Sequence, residues 1–125
     1  MNASNDTICA PATAAGGAIG IIRISGPRAI EIADGIFSAD LAGAQGYSVH
    51  YGQLTDIDDA LATVFRAPRS YTGEDSVEFS CHGSSYILEQ ACQLLTEQGC
   101  RIANPGEFTQ RAFLNGKMDL VQAEA

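Results

Sequence analysis

The alternation of apolar and polar positions along the chain predicts short elements separated by turn-forming residues. From Ala18 to Ile24 nearly every position is apolar or glycine, the pattern of a buried strand. With a period of two, Ile19, Ile21, Arg23 and Ser25 share one face, and Gly20, Ile22 and Ile24 the other. Ser25-Gly26-Pro27 then starts a helix, with Ser25 or Gly26 at the cap and Pro27 in the first turn, where its missing N–H is not needed. Ala29, Ile30, Ala33, Ile36 and Phe37 follow at helical spacing. Residues 38–46 read as a loop. Tyr47–Leu54 and Ala60–Arg66 predict two strands of a hairpin around the acidic turn Asp56-Ile57-Asp58-Asp59. After a loop at 67–73, Asp75–Cys81 reads as a strand with Val77 and Phe79 on one face. Ser76, Glu78, Ser80 and His82 fall on the other.

Ser84–Gln98 carries the clearest helical stripe, through Ile87, Leu88, Ala91, Leu94 and Leu95. Ser84 or Ser85 can cap it, and Gly99 can close it in a left-handed conformation. A short strand at Cys100–Ala103, a short helix within Pro105–Gly116 and the opening of a further helix at Asp119–Ala125 complete the chain. The order β, α, β, β, β, α, β, α predicts an α+β fold, a mixed β-sheet with helices packed on one side.

Length and charge narrow the possible roles. The 125 residues suffice for one core. Apolar runs such as Ile19-Gly20-Ile21-Ile22 are too short to span a membrane, and the first residues lack the basic and apolar segments of a signal peptide. A cytoplasmic location is expected. Six Arg and a single Lys face fifteen carboxylates, a net charge of −8. Without clustered cations the chain is expected to bind nucleic acid weakly by itself and to avoid anionic membranes. Cys9, Cys81, Cys92 and Cys100 contain no C-x-x-C pair. They read as free thiols, because a metal site drawn from Cys81, His82, Cys92 and Cys100 lacks paired ligand spacing.

Candidate chemistry begins with what is missing. The sequence has no G-x-x-x-x-G-K-[ST] phosphate loop, G-x-S-x-G or H-E-x-x-H, and Gly16-Gly17-Ala18-Ile19-Gly20 precedes a strand, outside the dinucleotide-binding context. Arg23 lies within an apolar strand. It needs a carboxylate, a ligand, or a stem that reaches solvent. Glu78 sits in the middle of a strand, either solvated or free to accept two parallel hydrogen bonds from a flat N–H/NH₂ edge. His82-Gly83-Ser84-Ser85 precedes a helix, and so offers either an anion-binding N-terminus or simple capping by Ser84. Lys117, the single lysine, falls in Asn115-Gly116-Lys117-Met118-Asp119-Leu120, as a turn residue or a ligand contact.

Four stretches together resemble one family. They are Ile19-Gly20-Ile21-Ile22-Arg23-Ile24-Ser25-Gly26, Ala67-Pro68-Arg69-Ser70-Tyr71-Thr72-Gly73-Glu74-Asp75, Cys81-His82-Gly83, and Pro105–Leu120 (PGEFTQRAFLNGKMDL). In this order they resemble the N-terminal part of the MnmE (TrmE) family of tRNA-modification GTPases, over residues 6–125. The resemblance implies a fold similar to the tetrahydrofolate-binding fold of glycine-cleavage T-proteins. Residues 1–118 would form the folate-binding and dimerisation domain, and 119–125 the start of a helical domain, with the GTPase domain absent. It implies binding of 5-formyltetrahydrofolate, or another one-carbon tetrahydrofolate, at a homodimer interface. By motif, the folate contacts fall on Arg23, Glu78 and Lys117. The same resemblance implies that the full-length protein works with the flavoprotein MnmG on C5 of the tRNA wobble uridine, and that GTP with Mg and K ions belongs to the absent domain. No catalytic residue is expected in this chain. Two departures stand out: Ala14-Ala15-Gly16-Gly17 replaces the family's basic, proline-containing glycine loop, and His82-Gly83-Ser84-Ser85 replaces the usual H-G-G. The competing function classes are a dimerisation scaffold without ligand and a stand-alone folate-dependent transferase.

Overall fold

A computed structural model describes residues 6–117 of the chain. The six strands are β1 (Ile8–Pro11), β2 (Ile19–Ser25), β3 (Ser48–Leu54), β4 (Asp58–Phe65), β5 (Ser76–His82) and β6 (Arg101–Ile102). The helices are α1 (Ala29–Ile36), α2 (Ser85–Glu97) and α3 (Glu107–Leu114). The strands form one sheet in the order β3-β4-β5-β2-β1-β6. Only β1 and β6 pair in parallel; the other neighbours are antiparallel, so the sheet is mixed, as the element order predicts.

The period-two pattern becomes two unlike faces. On one, Ile22 stands opposite Phe79, which stands opposite Ala62, and Ile24, Val77 and Val64 form the next row. All six are fully buried. α1 contributes Ile30, Ile32, Ala33 and Ile36 to this core, and α2 contributes Leu88, Ala91 and Leu95. Truncating a fully buried Phe to Ala costs about 3–5 kcal/mol, so Phe79, in the middle of the sheet, is the residue on which this layer most depends.

On the opposite face α3 departs from the expected one-sided packing. Its Phe108 ring lies 5.4 Å from the Arg23 guanidinium, on the strand face turned away from the core. The strand β1 is also an addition: Ile8-Cys9-Ala10-Pro11 is too short and too rich in small residues to show periodicity, and only its pairing with β2 and β6 defines it. Ser25 does not cap α1. Its buried hydroxyl lies 2.6 Å from Thr72 Oγ1 and donates to Glu74 Oε1, and α1 begins four residues later at Ala29 with no side-chain cap. The acidic turn is shorter than expected because Asp58 and Asp59 join β4, with Asp58 accepting a hydrogen bond from the His82 main chain. Ser84 does cap α2, its Oγ accepting from Ile87 N, and Gly99 adopts φ +113 after it. The helix opening expected at Asp119–Ala125 lies outside the described residues.

A network of ion pairs holds α3 and the 67–74 loop in place. The Arg111 side chain is 4% exposed and reaches Glu74 at 3.2 Å, Glu107 at 3.5 Å and the Asp6 carbonyl at 2.6 Å. Arg101 clasps Glu107 through both terminal nitrogens, at 3.0 and 2.7 Å, and Asp6 through Nε at 2.8 Å. The Arg101 hydrogen bonds, with help from the Asn104 N–H and the Arg111 charge, outweigh burial and hold the Glu107 carboxyl down at about 2. A carboxylate lowered in the folded state contributes stability above its unfolded value, near 4.5, and loses it as the pH falls towards 2. A displacement of that size is worth about 3 kcal/mol. Urea unfolding of wild type and Glu107→Gln across pH 2–7 should therefore show the variant less stable by about that amount at pH 7, with a shallower acid slope. Parallel slopes for the two proteins would show that Glu107 is not the group responsible.

Candidate functional site

The outward face of the central strands places charge where the core face places hydrocarbon. Arg23 of β2 and Glu78 of β5 stand directly opposite each other in the register. Arg23 Nε donates to Glu78 Oε2 at 2.9 Å, with both side chains 23% exposed. Among the described residues, Glu78 Oε1 and the two terminal nitrogens of Arg23 make no hydrogen bond. The pair is therefore half satisfied, with one carboxylate oxygen and two guanidinium nitrogens still able to meet a ligand.

Two aromatic rings wall the pair. The Arg23 guanidinium lies 4.9 Å from the Tyr71 ring centre and 5.4 Å from that of Phe108. Cation–π attraction at such distances helps hold the guanidinium still. Tyr71 comes from the 67–74 loop and Phe108 from α3, and the Tyr71 hydroxyl lies 2.9 Å from Thr109 Oγ1, so the two walls are tied together. Neither aromatic was singled out from the sequence. The available signal was an aromatic two positions from a glycine in each motif, Tyr71-Thr72-Gly73 and Gly106-Glu107-Phe108.

Lys117 is exposed and, among the described residues, makes no hydrogen bond or ion pair with Arg23 or Glu78. Its stem runs along Gly73, where an added Cβ would lie 3.2 Å from Lys117 Cγ and 2.9 Å from Asn115 Cβ. With φ +83, Gly73 is thus needed both for its backbone conformation and for this close approach. The Asn115 amide also donates to the Thr72 carbonyl at 2.8 Å. One loop thus carries Tyr71 over Arg23 and receives the segment ending at Lys117.

The His82 segment has another role. Asp58 accepts from the His82 main-chain N–H at 2.9 Å and lies 2.8 Å from its Nδ1. Burial works to raise the Asp58 pKa, but the hydrogen bonds and charge of His82 together bring it below its usual value. Gly83 permits a backbone crossing: an added Cβ would collide with the Gly17 carbonyl oxygen, so no side chain fits. Gly16 N also donates to the Gly83 carbonyl at 2.7 Å. The glycines of the 14–17 segment thus dock against the start of α2.

Further along this face lies a shallow depression of about 260 Å³ between β2, β4 and β5, with Ile19, Tyr51, Leu61, Ser80 and His82 around it. Tyr51 and Leu61 are cross-strand partners. Tyr51 is 70% exposed, Ile19 63%, Val49 59% and Leu61 44%, an apolar strip continuous with the charged pair. All four cysteines are free, and burial raises the Cys81 thiol to about 11, which leaves it a poor nucleophile near neutral pH. Among the described residues no cluster of three or more His, Cys, Asp or Glu is placed to hold a metal ion, and no helix is long and apolar enough to cross a membrane.

Comparison with known proteins shows the family. Residues 7–117 match the family described as GTP-binding protein TrmE N-terminus. The chain is 59% identical, over 98% of its length, to a Bacteroides thetaiotaomicron protein named tRNA modification GTPase MnmE, and covers 28% of that protein. It is similar to proteins of the same name from Christiangramia forsetii, at 57% identity, and Chlamydia trachomatis serovar L2, at 55%. In each of these it covers 97% of its own length and 27% and 28% of the relative's. The chain spans a little over a quarter of the curated relatives it matches.

Proposed function

Since the chain belongs to the family of the GTP-binding protein TrmE N-terminus, we propose that it is the folate-binding and homodimerising part of a tRNA-modification GTPase. The observation that carries this reading is the half-satisfied Arg23–Glu78 pair between two aromatic walls. A pterin is a flat ring with an N–H/NH₂ edge on one side and a carbonyl beside it. Glu78 has an oxygen free to accept from such an edge, and Arg23 has nitrogens free to donate to the carbonyl side. Tyr71 and Phe108 supply the apolar surfaces that a flat ring needs. Lys117, packed against the loop that bears Tyr71, would meet the acidic end of the ligand. When bound, the tetrahydrofolate supplies a one-carbon unit. The residues of this chain hold and orient it and shield it from water.

On this reading the full protein hydrolyses GTP, with Mg and K ions, in a domain outside these 125 residues. It acts in the cytoplasm with the flavoprotein MnmG on C5 of the tRNA wobble uridine. Dimerisation through this domain is supported by the apolar strip of Ile19, Val49, Tyr51 and Leu61, which is left in water by the single chain. A second copy laid against that strip would also close the Arg23–Glu78 pair from solvent and strengthen its hydrogen bonds.

Calorimetric titration of the full chain with 5-formyltetrahydrofolate should show saturable binding near one ligand per chain. Glu78→Gln should weaken it by about 1.5–3 kcal/mol, a tenfold to hundredfold loss, with folding preserved. Unchanged affinity would remove Glu78 from the site. In sizing experiments, Tyr51→Asp combined with Leu61→Asp should convert a dimer into monomers at micromolar concentration, since two charges cannot be desolvated in an apolar interface. A double variant that remains dimeric would place the interface elsewhere.

A further inference from the structure

The arginines divide into two groups that the sequence does not separate. Arg23, Arg28, Arg101 and Arg111 each pair with a carboxylate. Arg66 and Arg69 have no carboxylate within ion-pair distance among the described residues. Both line one cavity of about 260 Å³, together with Gly46, Tyr47, Ala67 and Pro68, where β3 begins and β4 ends. In a chain with net charge −8, two uncompensated guanidinium groups on one cavity mark a local reversal of sign.

The cavity is partly pre-built. Arg66 donates from Nε to the Ala44 carbonyl and from Nη2 to the Ala42 carbonyl, both at 2.8 Å. These bonds fix the guanidinium and leave Nη1 without a hydrogen bond among the described residues. The Arg69 side chain makes no hydrogen bond there either. Tyr47 is held at φ +60, in the left-handed region that a bulky residue seldom adopts, while its N–H donates to the Val64 carbonyl at 2.7 Å. Its ring packs roughly perpendicular to that of Phe65 at 5.8 Å, and the residue is 64% exposed on the cavity it lines with the two arginines. The Asp75 carboxylate accepts from the N–H of Ala67, one of the lining residues, at 2.7 Å.

We propose that this cavity binds a phosphate of single-stranded RNA between Arg66 and Arg69, with the adjoining base stacked on Tyr47. Two arginines present planar N–H groups that match phosphate oxygens, and base stacking on an aromatic face is tolerant of sequence. Free phosphate alone would make no use of the Tyr47 ring. The choice of RNA among phosphate esters rests on the proposed role in tRNA modification. The site itself rests on the unpaired arginines, and it is separate from Arg23 and Glu78.

The test is fluorescence anisotropy of a labelled ten-nucleotide oligouridylate with the full chain at several salt concentrations. Arg69→Ala should weaken binding about threefold to tenfold and reduce the slope of log affinity against log salt by about 0.7, the value for one phosphate contact on a single strand. Tyr47→Asn, which suits the left-handed backbone, should weaken binding about fivefold without changing that slope. Arg28→Ala, whose partner is Glu31, should behave as wild type. Binding that ignores both Arg69 and Tyr47 would overturn the site and leave the tRNA reading standing. Inorganic polyphosphate bound as tightly as the oligomer, and insensitive to Tyr47→Asn, would overturn the RNA assignment. No binding by the wild type at low salt would overturn both the site and RNA contact by this chain, while folate titration would still report on the proposed folate site.

Discussion

The placement of Arg111 governs the outer face of the sheet. Its guanidinium is almost sealed from water and is shared among Glu74 of the 67–74 loop, Glu107 of α3 and the carbonyl of Asp6. Arg101 completes the closure by bonding both Glu107 and Asp6. Desolvation of these charges offsets much of their mutual attraction, so the network adds little net stability over a well-packed apolar cluster. Removing one member is another matter, because it strands a buried charge at a cost of about 3–5 kcal/mol. The network therefore acts mainly as a geometric constraint: three segments distant in sequence can meet in one arrangement. In that arrangement Tyr71 and Phe108 stand over Arg23.

The sheet gives the constraint something to act on. Its inner face is filled by Ile, Val, Phe and Ala and closed by α1 and α2. Its outer face carries Arg23 against Glu78 at the centre, with exposed apolar residues towards β3 and β4. One strand pair thus serves both purposes, since successive residues of β2 and β5 point alternately to the core and to the site. A slip of β2 by one residue against β5 would turn Arg23 into the core and Ile22 out of it while Glu78 stayed outside, so the hydrophobic core itself fixes the register of the charged pair.

Much of this is legible in the residues. The period of two in Ser76–His82 sets Glu78 opposite to Val77 and Phe79, and in Ile19–Ser25 it sets Arg23 opposite to Ile22 and Ile24, although both faces of β2 are apolar and only the structure shows which one meets the core. The α2 stripe with its Ser84 cap and Gly99 stop is equally local. The parts that escaped are those with a non-local cause. Ile8–Pro11 becomes a strand only because β2 and β6 offer it partners. Ser25 turns away from a helix cap because Thr72 and Glu74, nearly fifty residues on, bind its hydroxyl. Asp58 leaves the turn for β4 because His82 is within reach.

The sequence by itself determined the α+β class, the two faces of the central strands and the motifs that mark the family, because these depend on periodicity and on residues close together in the chain. Only the tertiary structure decided that Arg23 meets Glu78 beneath Tyr71 and Phe108, that α3 lies on the outer face, and that Arg66 and Arg69 alone among the arginines lack a carboxylate partner among the described residues. The physical reason is that charge pairing and aromatic contact depend on distance in space, and the fold brings together residues more than a hundred positions apart along the chain, as with Asp6 and Arg111.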